Sequence, residues 1–507
     1  MSVSLLLDMA ASSNPDRLAV VCDEVRWTTS ELSARVRGAA AVIANSGARS
    51  VAYVGTGGHL LPLLIFGSAG AGIPFTPLNY RLAADSLAEL MARLEDPLVV
   101  CDEEYHDIVV TSGARIMRSS ALAGAAAAAV DPVTDAEPPD PDQVAVVLFT
   151  SGTTSKPKAV ELSHNNLVSY ITGTVEFDSA EPADAALICV PPYHIAGIGA
   201  ALSNLYAGRT MVYLRNFDAA RWIELVAGAS VTTATVVPTM LDRIVTELER
   251  SGARLPTLRT LAYGGSKVAL PLVRKALDLL PEVGFVNAYG LTETSSTIAV
   301  LGPEEHRAAH HCADPAVARR LGSVGQPVPG IEVQIRDDHG RVLPACATGE
   351  LFVRGPQVSG RYTGIGSVLD DEGWFPTKDV AMLDADGYLF IGGRSDDTII
   401  RGGENIAPAE IEDVLVEHPA VREVAVIGVE DAQWGQTIVA VVVPADGVAP
   451  DPEQLRDYVR AGLRGSRTPD RVVFRDSLPA TPTGKVLRRA LVDEYGPQPA
   501  ADVAVNT

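Results

Sequence analysis

Short runs of apolar and β-branched residues recur along this chain, and stretches of helical character part each run from the next. Val51-Ala52-Tyr53-Val54 and Leu98-Val99-Val100 begin the pattern. Ala186-Leu187-Ile188-Cys189-Val190, Thr210-Met211-Val212-Tyr213-Leu214, Thr233-Ala234-Thr235-Val236-Val237 and Thr260-Leu261-Ala262-Tyr263 continue it between about 185 and 300. Strand alternating with helix predicts an α/β chain built on parallel sheets. Thr28-Thr29-Ser30-Glu31, ahead of Leu32 to Ile43, has the form of a capping box that opens an amphipathic helix. His59 to Phe75 is the most apolar segment, but Pro62, Pro74 and several glycines interrupt it. A core helix followed by a strand is expected there, not a membrane span.

From about 322 to 393, glycine-punctuated stretches (Val333-Gln334-Ile335, Glu350-Leu351-Phe352-Val353, Tyr388-Leu389-Phe390-Ile391) suggest a smaller β-rich subdomain. A last unit, about 397–495, holds helices and the strands Val424-Ala425-Val426-Ile427 and Ile438 to Val443. Alanine-rich Ala121 to Val130 reads as a surface helix end, and acidic, proline-rich Asp131 to Asp142 as a connector. The residues after 495 read as a frayed tail.

The length of 507 residues exceeds one ordinary core, so two or more domains are expected. Apolar residues at 47% and charged residues at 21% describe an ordinary folded composition. The net charge of −22 disfavours nucleic acid as a partner, and any phosphate site must be local. The five cysteines are scattered with no CxxC pair, which fits a reduced, cytoplasmic protein, and the N-terminus lacks the basic start of a signal peptide. His310-His311-Cys312 invites a metal reading. Adjacent residues on a helix do not share a face, however, and no second ligand cluster exists, so no metal is expected there.

Phe149-Thr150-Ser151-Gly152-Thr153-Thr154-Ser155-Lys156-Pro157-Lys158 packs hydroxyls, a glycine and two lysines behind the apolar run Val144 to Leu148. A loop leaving a strand in this way turns N–H groups and hydroxyls toward phosphate oxygens, with lysines offsetting their charge. The Gly-x4-Gly-Lys-Ser/Thr pattern is absent. Taken alone, the segment fits a solvated turn or a phosphate loop.

Further motifs follow in order: Asn287-Ala288-Tyr289-Gly290-Leu291-Thr292-Glu293-Thr294, Trp374-Phe375-Pro376-Thr377-Lys378-Asp379, Gly393-Arg394-Ser395-Asp396-Asp397, Gly402-Gly403-Glu404-Asn405-Ile406 and Pro482-Thr483-Gly484-Lys485. Together with the hydroxyl-rich loop, the chain resembles the adenylate-forming superfamily over nearly its whole length. That superfamily comprises acyl-CoA synthetases, fatty-acyl-AMP ligases, adenylation domains and beetle luciferases. The resemblance implies a large N-terminal domain, 1–395, of stacked α/β subdomains plus a small β-rich subdomain. It also implies a small mobile α+β domain, 396–495, and a flexible tail, 496–507.

The implied reaction uses ATP and Mg²⁺. A carboxylate attacks the α-phosphate, pyrophosphate leaves, and a phosphopantetheine thiol of CoA or of an acyl carrier protein then takes the acyl group. By resemblance, Glu293 and Thr150 serve the metal, and Lys485 bridges carboxylate and α-phosphate oxygens. Thr150, Ser151, Gly152, Thr153, Thr154 and Lys158 cradle phosphates. Gly265, Ser266, Asn287, Ala288, Tyr289, Gly290 and Thr292 bind the nucleotide base and its surroundings, and Asp379 and Arg394 the ribose. His194 and Gly197, from Pro191-Pro192-Tyr193-His194, border the acid together with Gly264 and Gly265. Asp396 is the implied hinge, and Gly402 and Gly403 the loop for the thiol step. Each group has an ordinary reading too: a helix N-terminal carboxylate for Glu293, a surface ion pair for Asp379 and Arg394, a solvated loop residue for Lys485.

Three positions depart from the family pattern: Ser155 and Ala159 stand where glycines are usual, as does Lys378 before Asp379. Val237-Pro238-Thr239 through Tyr263-Gly264-Gly265-Ser266 is similar to actinobacterial fatty-acyl-AMP ligases, while Gly402 to Pro408 is similar to acyl-CoA synthetases. The expectation is a fatty-acyl ligase serving carrier protein or CoA, with strict CoA use as the alternative. A luciferase-like oxygenase and a non-catalytic nucleotide-binding module are the readings from other classes.

Overall fold

The computed structural model describes residues 1–129, 139–150, 157–402, 404–431, 433–463, 465–481 and 484–496, all but Thr111 and Asn405 with their side chains. The chain divides into two compact units. One comprises Met1–Gly265, Ala276–Val333 and Val353–Phe375, the other Ser266–Lys275, Gln334–Phe352 and Pro376–Thr507.

Two large sheets organise the first unit. The nine-stranded one runs Gln326–Pro327, Ser296–Leu301, Gly284–Leu291, Thr260–Gly264, Thr233–Val236, Ala185–Ile188, Thr210–Tyr213, Leu18–Cys22, Val25–Thr28. Its central strands, from Gly284–Leu291 to Leu18–Cys22, are all parallel, as the strand–helix alternation predicts. The eight-stranded sheet runs Gly366–Ser367, Arg361–Tyr362, Lys158–Ser163, Val144–Thr150, Phe75–Leu78, Ser50–Val54, Pro97–Cys101, Arg115–Arg118. Two short strands from the glycine-punctuated stretch therefore join this sheet and not a separate β-rich subdomain. Tyr362 pairs with Val160, a partner that local sequence cannot reveal.

Helices lie between the sheets. Leu60–Gly70 is apolar on every side, and Leu60 to Ala69 are all buried, so it is a core helix, and Phe75–Leu78 follows as the expected strand. The helix Thr29–Asn45 opens on the expected capping box: Thr28 Oγ1 accepts from Glu31 N at 3.2 Å and Glu31 Oε2 accepts from Thr28 N at 2.8 Å. The alanine-rich helix Ser119–Ala128 is not a mere surface end, for Leu122 and Ala126 are buried. A Cβ on Gly38 would lie 2.1 Å from the Ala126 carbonyl oxygen, so only glycine lets these two helices meet so closely.

A buried polar cluster ties the two sheets together. Asp102, 3% exposed, accepts from Tyr53 Oη at 3.0 Å, Thr56 N at 3.0 Å and Arg215 Nη2 at 2.9 Å. Every oxygen of this carboxylate is thereby matched, which is what makes its burial tolerable.

The second unit carries a four-stranded sheet, Glu332–Arg336, Thr348–Arg354, Phe375–Leu383 and Leu389–Arg394. It also carries a five-stranded sheet around the long hairpin Val421–Asp431 and Gly435–Pro444. Helices Pro408–Val416 and Pro452–Gly462 cover one face of that hairpin through Ile411, Leu415, Leu455 and Val459. Among the described residues no helix is long and apolar enough to cross a membrane.

Candidate active site

Several sequence-predicted groups of the first unit stand at the carboxyl ends of neighbouring parallel strands. His194 follows Ala185–Ile188, Gly264 and Gly265 close Thr260–Gly264, and Thr292 and Glu293 follow Gly284–Leu291. In open α/β sheets this edge is where ligands bind. The glycines divide by cause. A Cβ on Gly264 would lie 2.1 Å from Ala288 O, and one on Gly290 1.7 Å from Ser296 O, so neighbouring backbone demands both. Gly265 is exposed and left-handed, with φ 87°, and only Val237 comes near its missing side chain. It is the glycine left open to a ligand. Asn287, across from Tyr263, donates Nδ2 to Ser323 O at 3.1 Å, and Tyr289 pairs with Ala299.

Glu293 occupies a three-residue 3₁₀ turn, Thr292–Thr294, too short to supply a helix dipole, so the helix-terminus explanation fails. Its main-chain oxygen accepts from Ser359 N at 2.8 Å, and Tyr362 donates its hydroxyl to Glu293 Oε1 at 2.9 Å. The second carboxylate oxygen has no hydrogen-bond partner among the described residues. A half-buried carboxylate with one oxygen held and the other open suits an oxygen-seeking cation such as Mg²⁺. Lys158 Nζ lies 5.3 Å from the centre of the Tyr362 ring. Thr150 faces Lys158 across the antiparallel pair, its hydroxyl 3.4 Å from Lys158 O. The strands thus bring Thr150, Lys158, Tyr362 and Glu293 together, while Ser151, Gly152, Thr153, Thr154 and Ser155 lie outside the described residues.

His194 is not a satisfied core histidine. Its Nε2 is buried without a partner among the described residues, and its ring rests 4.7 Å from that of Tyr193. Burial, with Arg81 adding to it, pushes its pKa down to about 4, so the ring is neutral near pH 7. Gly197 has a packing cause, since a Cβ there would meet Pro191 O at 2.7 Å.

In the second unit Asp379 and Arg394 are cross-strand partners, with Arg394 Nη1 3.3 Å from Asp379 Oδ1. The Asp379 side chain is 9% exposed, so the surface ion pair of the sequence reading becomes a largely buried one. Lys378 has φ 65°, the left-handed backbone that favours glycine, and its Nζ pairs with Glu350 at 3.3 Å. Ser266 Oγ is buried without a partner among the described residues. Lys485 is exposed on a turn closed by Gly484 N to Thr481 O, 2.8 Å, and by Lys485 N to Thr481 Oγ1, 3.1 Å. Asp396 is the exposed centre of the 3₁₀ turn Ser395–Asp397. Gly402, at φ 56°, donates its N–H to Trp434 O at 2.8 Å, and Gly403 lies outside the described residues.

Sequence reasoning missed three groups. Tyr362 stands 69 positions from the carboxylate it holds. Gln357 is buried and donates Nε2 to Thr294 O and Thr297 O, fixing the turn that carries Glu293. His306 Nδ1 faces Gly302 O at 2.7 Å and must donate there, so Nε2 accepts from Tyr263 Oη at 2.8 Å and anchors the strand before Gly264. No local pattern marks any of them.

The family described as AMP-binding enzyme matches residues 7–363, and its C-terminal domain matches residues 410–485. The chain belongs to the AMP-binding enzyme family. This AMP-binding enzyme is 33% identical to the fatty acid–[acyl-carrier-protein] ligase ScoC of Streptomyces coeruleorubidus over 96% of this chain and 95% of that one. It is 36% identical to a feruloyl-CoA synthase of an Amycolatopsis species, over 96% and 97% of the two chains. Its fold matches that of ATP-bound MatB from Rhodopseudomonas palustris with a TM-score of 0.87 at 28% identity, covering 98% and 99% of the chains. It is an acid–thiol ligase of the adenylate-forming type.

Proposed function

We propose that this enzyme activates a fatty acid as its acyl-adenylate and passes the acyl group to the phosphopantetheine thiol of an acyl carrier protein or of CoA. A carboxylate oxygen forms a bond to the α-phosphorus of ATP while the bond to pyrophosphate breaks. The thiolate then attacks the acyl carbon, and AMP leaves with the bonding pair. The observation that carries this reading is the Glu293 carboxylate, held at one oxygen by Tyr362 beside the Lys158 ammonium.

Two anions must meet in the first step, so positioning and charge neutralisation dominate. Glu293 and Thr150 would hold Mg²⁺, which when bound offsets phosphate charge. Thr150, Lys158 and the loop between them bind phosphates, with Ser151, Gly152, Thr153 and Thr154 supplying donors. Gly265, Ser266 and Asn287 through Thr292 flank the base, Asp379 accepts from the ribose hydroxyls, and Arg394 orients that carboxylate. His194, neutral and with an open Nε2, borders the acid. Lys485 serves adenylation, Gly402 and Gly403 serve the thiol step, and a turn at Asp396 exchanges them.

The acyl specificity rests on similarity to ScoC and on the fatty-acyl ligase character of the segments flanking Gly264. A second reading, an aromatic acid passed to CoA, draws on the feruloyl-CoA synthase at 36% identity. Pyrophosphate release over short, medium, long and aromatic acids tests both, followed by thioester yield with CoA and with holo-carrier protein. Release with no acid in the panel would refute both readings, and so would a yield of adenylate that neither thiol can discharge.

A further inference from the structure

The helix Pro303–Ala309 stops at Ala309, and His310 and His311 follow it. Had it continued, their side chains would point about 100° apart. Instead His310 is extended, with ψ 122°, and His311 is left-handed, with φ 57°, a conformation uncommon outside glycine. The two rings lie 3.8 Å apart and aim both Nε2 atoms at one oxygen of Asp278, 2.8 Å from His310 and 3.2 Å from His311. Asp278 comes from a different helix, Leu270–Leu279. A continuous helix would keep the two imidazoles on different faces, and the helix end at Ala309 lifts that obstacle to a shared metal.

We propose that Asp278, His310 and His311 bind a divalent transition-metal ion of the zinc class. One ligand atom from each side chain lies within 4.8 Å of the others. Tetrahedral zinc with bonds of about 2.0–2.1 Å spaces neighbouring ligands about 3.3 Å apart, close to the two nitrogen–oxygen separations of 2.8 and 3.2 Å. Two imidazoles and one carboxylate suit zinc, nickel or copper, whereas Mg²⁺ and Ca²⁺ take oxygen shells. The site is therefore chemically distinct from the magnesium position proposed at Glu293. His310 is anchored, its side chain 14% exposed, while His311 at 71% and Asp278 at 57% are free to rotate and close the shell. Water completes the coordination. The ion clamps the end of Leu270–Leu279 to the end of Pro303–Ala309, the helix whose His306 holds Tyr263. Without an ion the same geometry is an ordinary carboxylate–imidazole pair, and the experiment separates the two.

Full-length protein stripped with chelator and exchanged into millimolar Mg²⁺ is titrated with ZnCl₂ calorimetrically, and its melting temperature is recorded with and without zinc. The expected result is one ion per chain with a micromolar dissociation constant and a rise in melting temperature. His311→Ala, at an exposed position, and Asp278→Asn each weaken binding about tenfold or more and erase the rise. Cooperative melting of the zinc-free variants shows that they are folded. Zinc bound with the same stoichiometry and affinity by both variants overturns the proposal, as does wild-type protein that takes up no zinc at millimolar concentration.

Discussion

Tyr362 donates its hydroxyl to Glu293 Oε1 at 2.9 Å while its ring faces the Lys158 ammonium 5.3 Å away. One side chain thereby orients a carboxylate and seats a cation. Tyr362→Phe keeps the ring and deletes only the hydroxyl. Loss of such a supporting contact to a metal ligand costs about 10–100-fold. The expected outcome is a higher Mg²⁺ requirement for pyrophosphate release, with the acid KM little changed. An unaltered Mg²⁺ dependence would detach Glu293 from the metal.

Lys485 is exposed on a small turn, and in the mechanism we propose it serves the first half-reaction alone. Lys485→Ala is expected to slow adenylate formation by about 10²–10³, the typical cost of one lost transition-state contact. Thioester formation from supplied acyl-adenylate survives. Rapid-quench measurement of each half-reaction checks this, and equal loss in both would contradict the assignment.

Asp396→Pro fixes φ at the centre of the turn Ser395–Asp397. Adenylation is expected to persist and thioester formation to collapse. Full thioester activity in the variant would move the hinge elsewhere.

Lys378 holds a left-handed backbone at φ 65°, and its ion pair with Glu350 joins a half-exposed lysine to a glutamate 24% exposed. Relief of the backbone penalty outweighs loss of such a pair. Lys378→Gly is expected to raise stability by about 1 kcal/mol. A lower unfolding midpoint in denaturant would show that the ion pair matters more.

His164 is 1% exposed, and its Nδ1 accepts from Val3 N at 3.2 Å, which requires a neutral ring. Burial, then the N-terminal ammonium, pushes its pKa down to about 4. The unfolded chain therefore binds a proton that the folded one refuses, and stability falls as pH drops from about 6.5 toward 4. His164→Gln, which keeps an acceptor without titrating, is expected to flatten that fall. An unchanged pH profile would assign the acid sensitivity to other groups.

What the sequence made legible was local. The capping box at Thr28 and Glu31, the all-apolar helix Leu60–Gly70 and the parallel strands carry their signals within a few residues, in propensity and period. The family resemblance also singled out Glu293, which the structure sets just beyond the strand Gly284–Leu291. What stayed hidden depends on partners far apart in sequence. Arg361–Tyr362 joins a sheet through Val160, and Gly264 and Gly197 answer to carbonyl oxygens of Ala288 and Pro191. His310 and His311 meet only because the helix Pro303–Ala309 ends just before them. Lys378 shows the reverse case: a departure visible in the sequence whose cost appears only in the backbone angle.

Asp102 receives donors from Tyr53, Thr56 and Arg215, residues at the ends of strands in both large sheets. Neither sheet can peel away alone without taking donors from this buried carboxylate. Amide exchange along Ser50–Val54 and Thr210–Tyr213 should accordingly report one shared opening event, making the paired sheets a single cooperative unit.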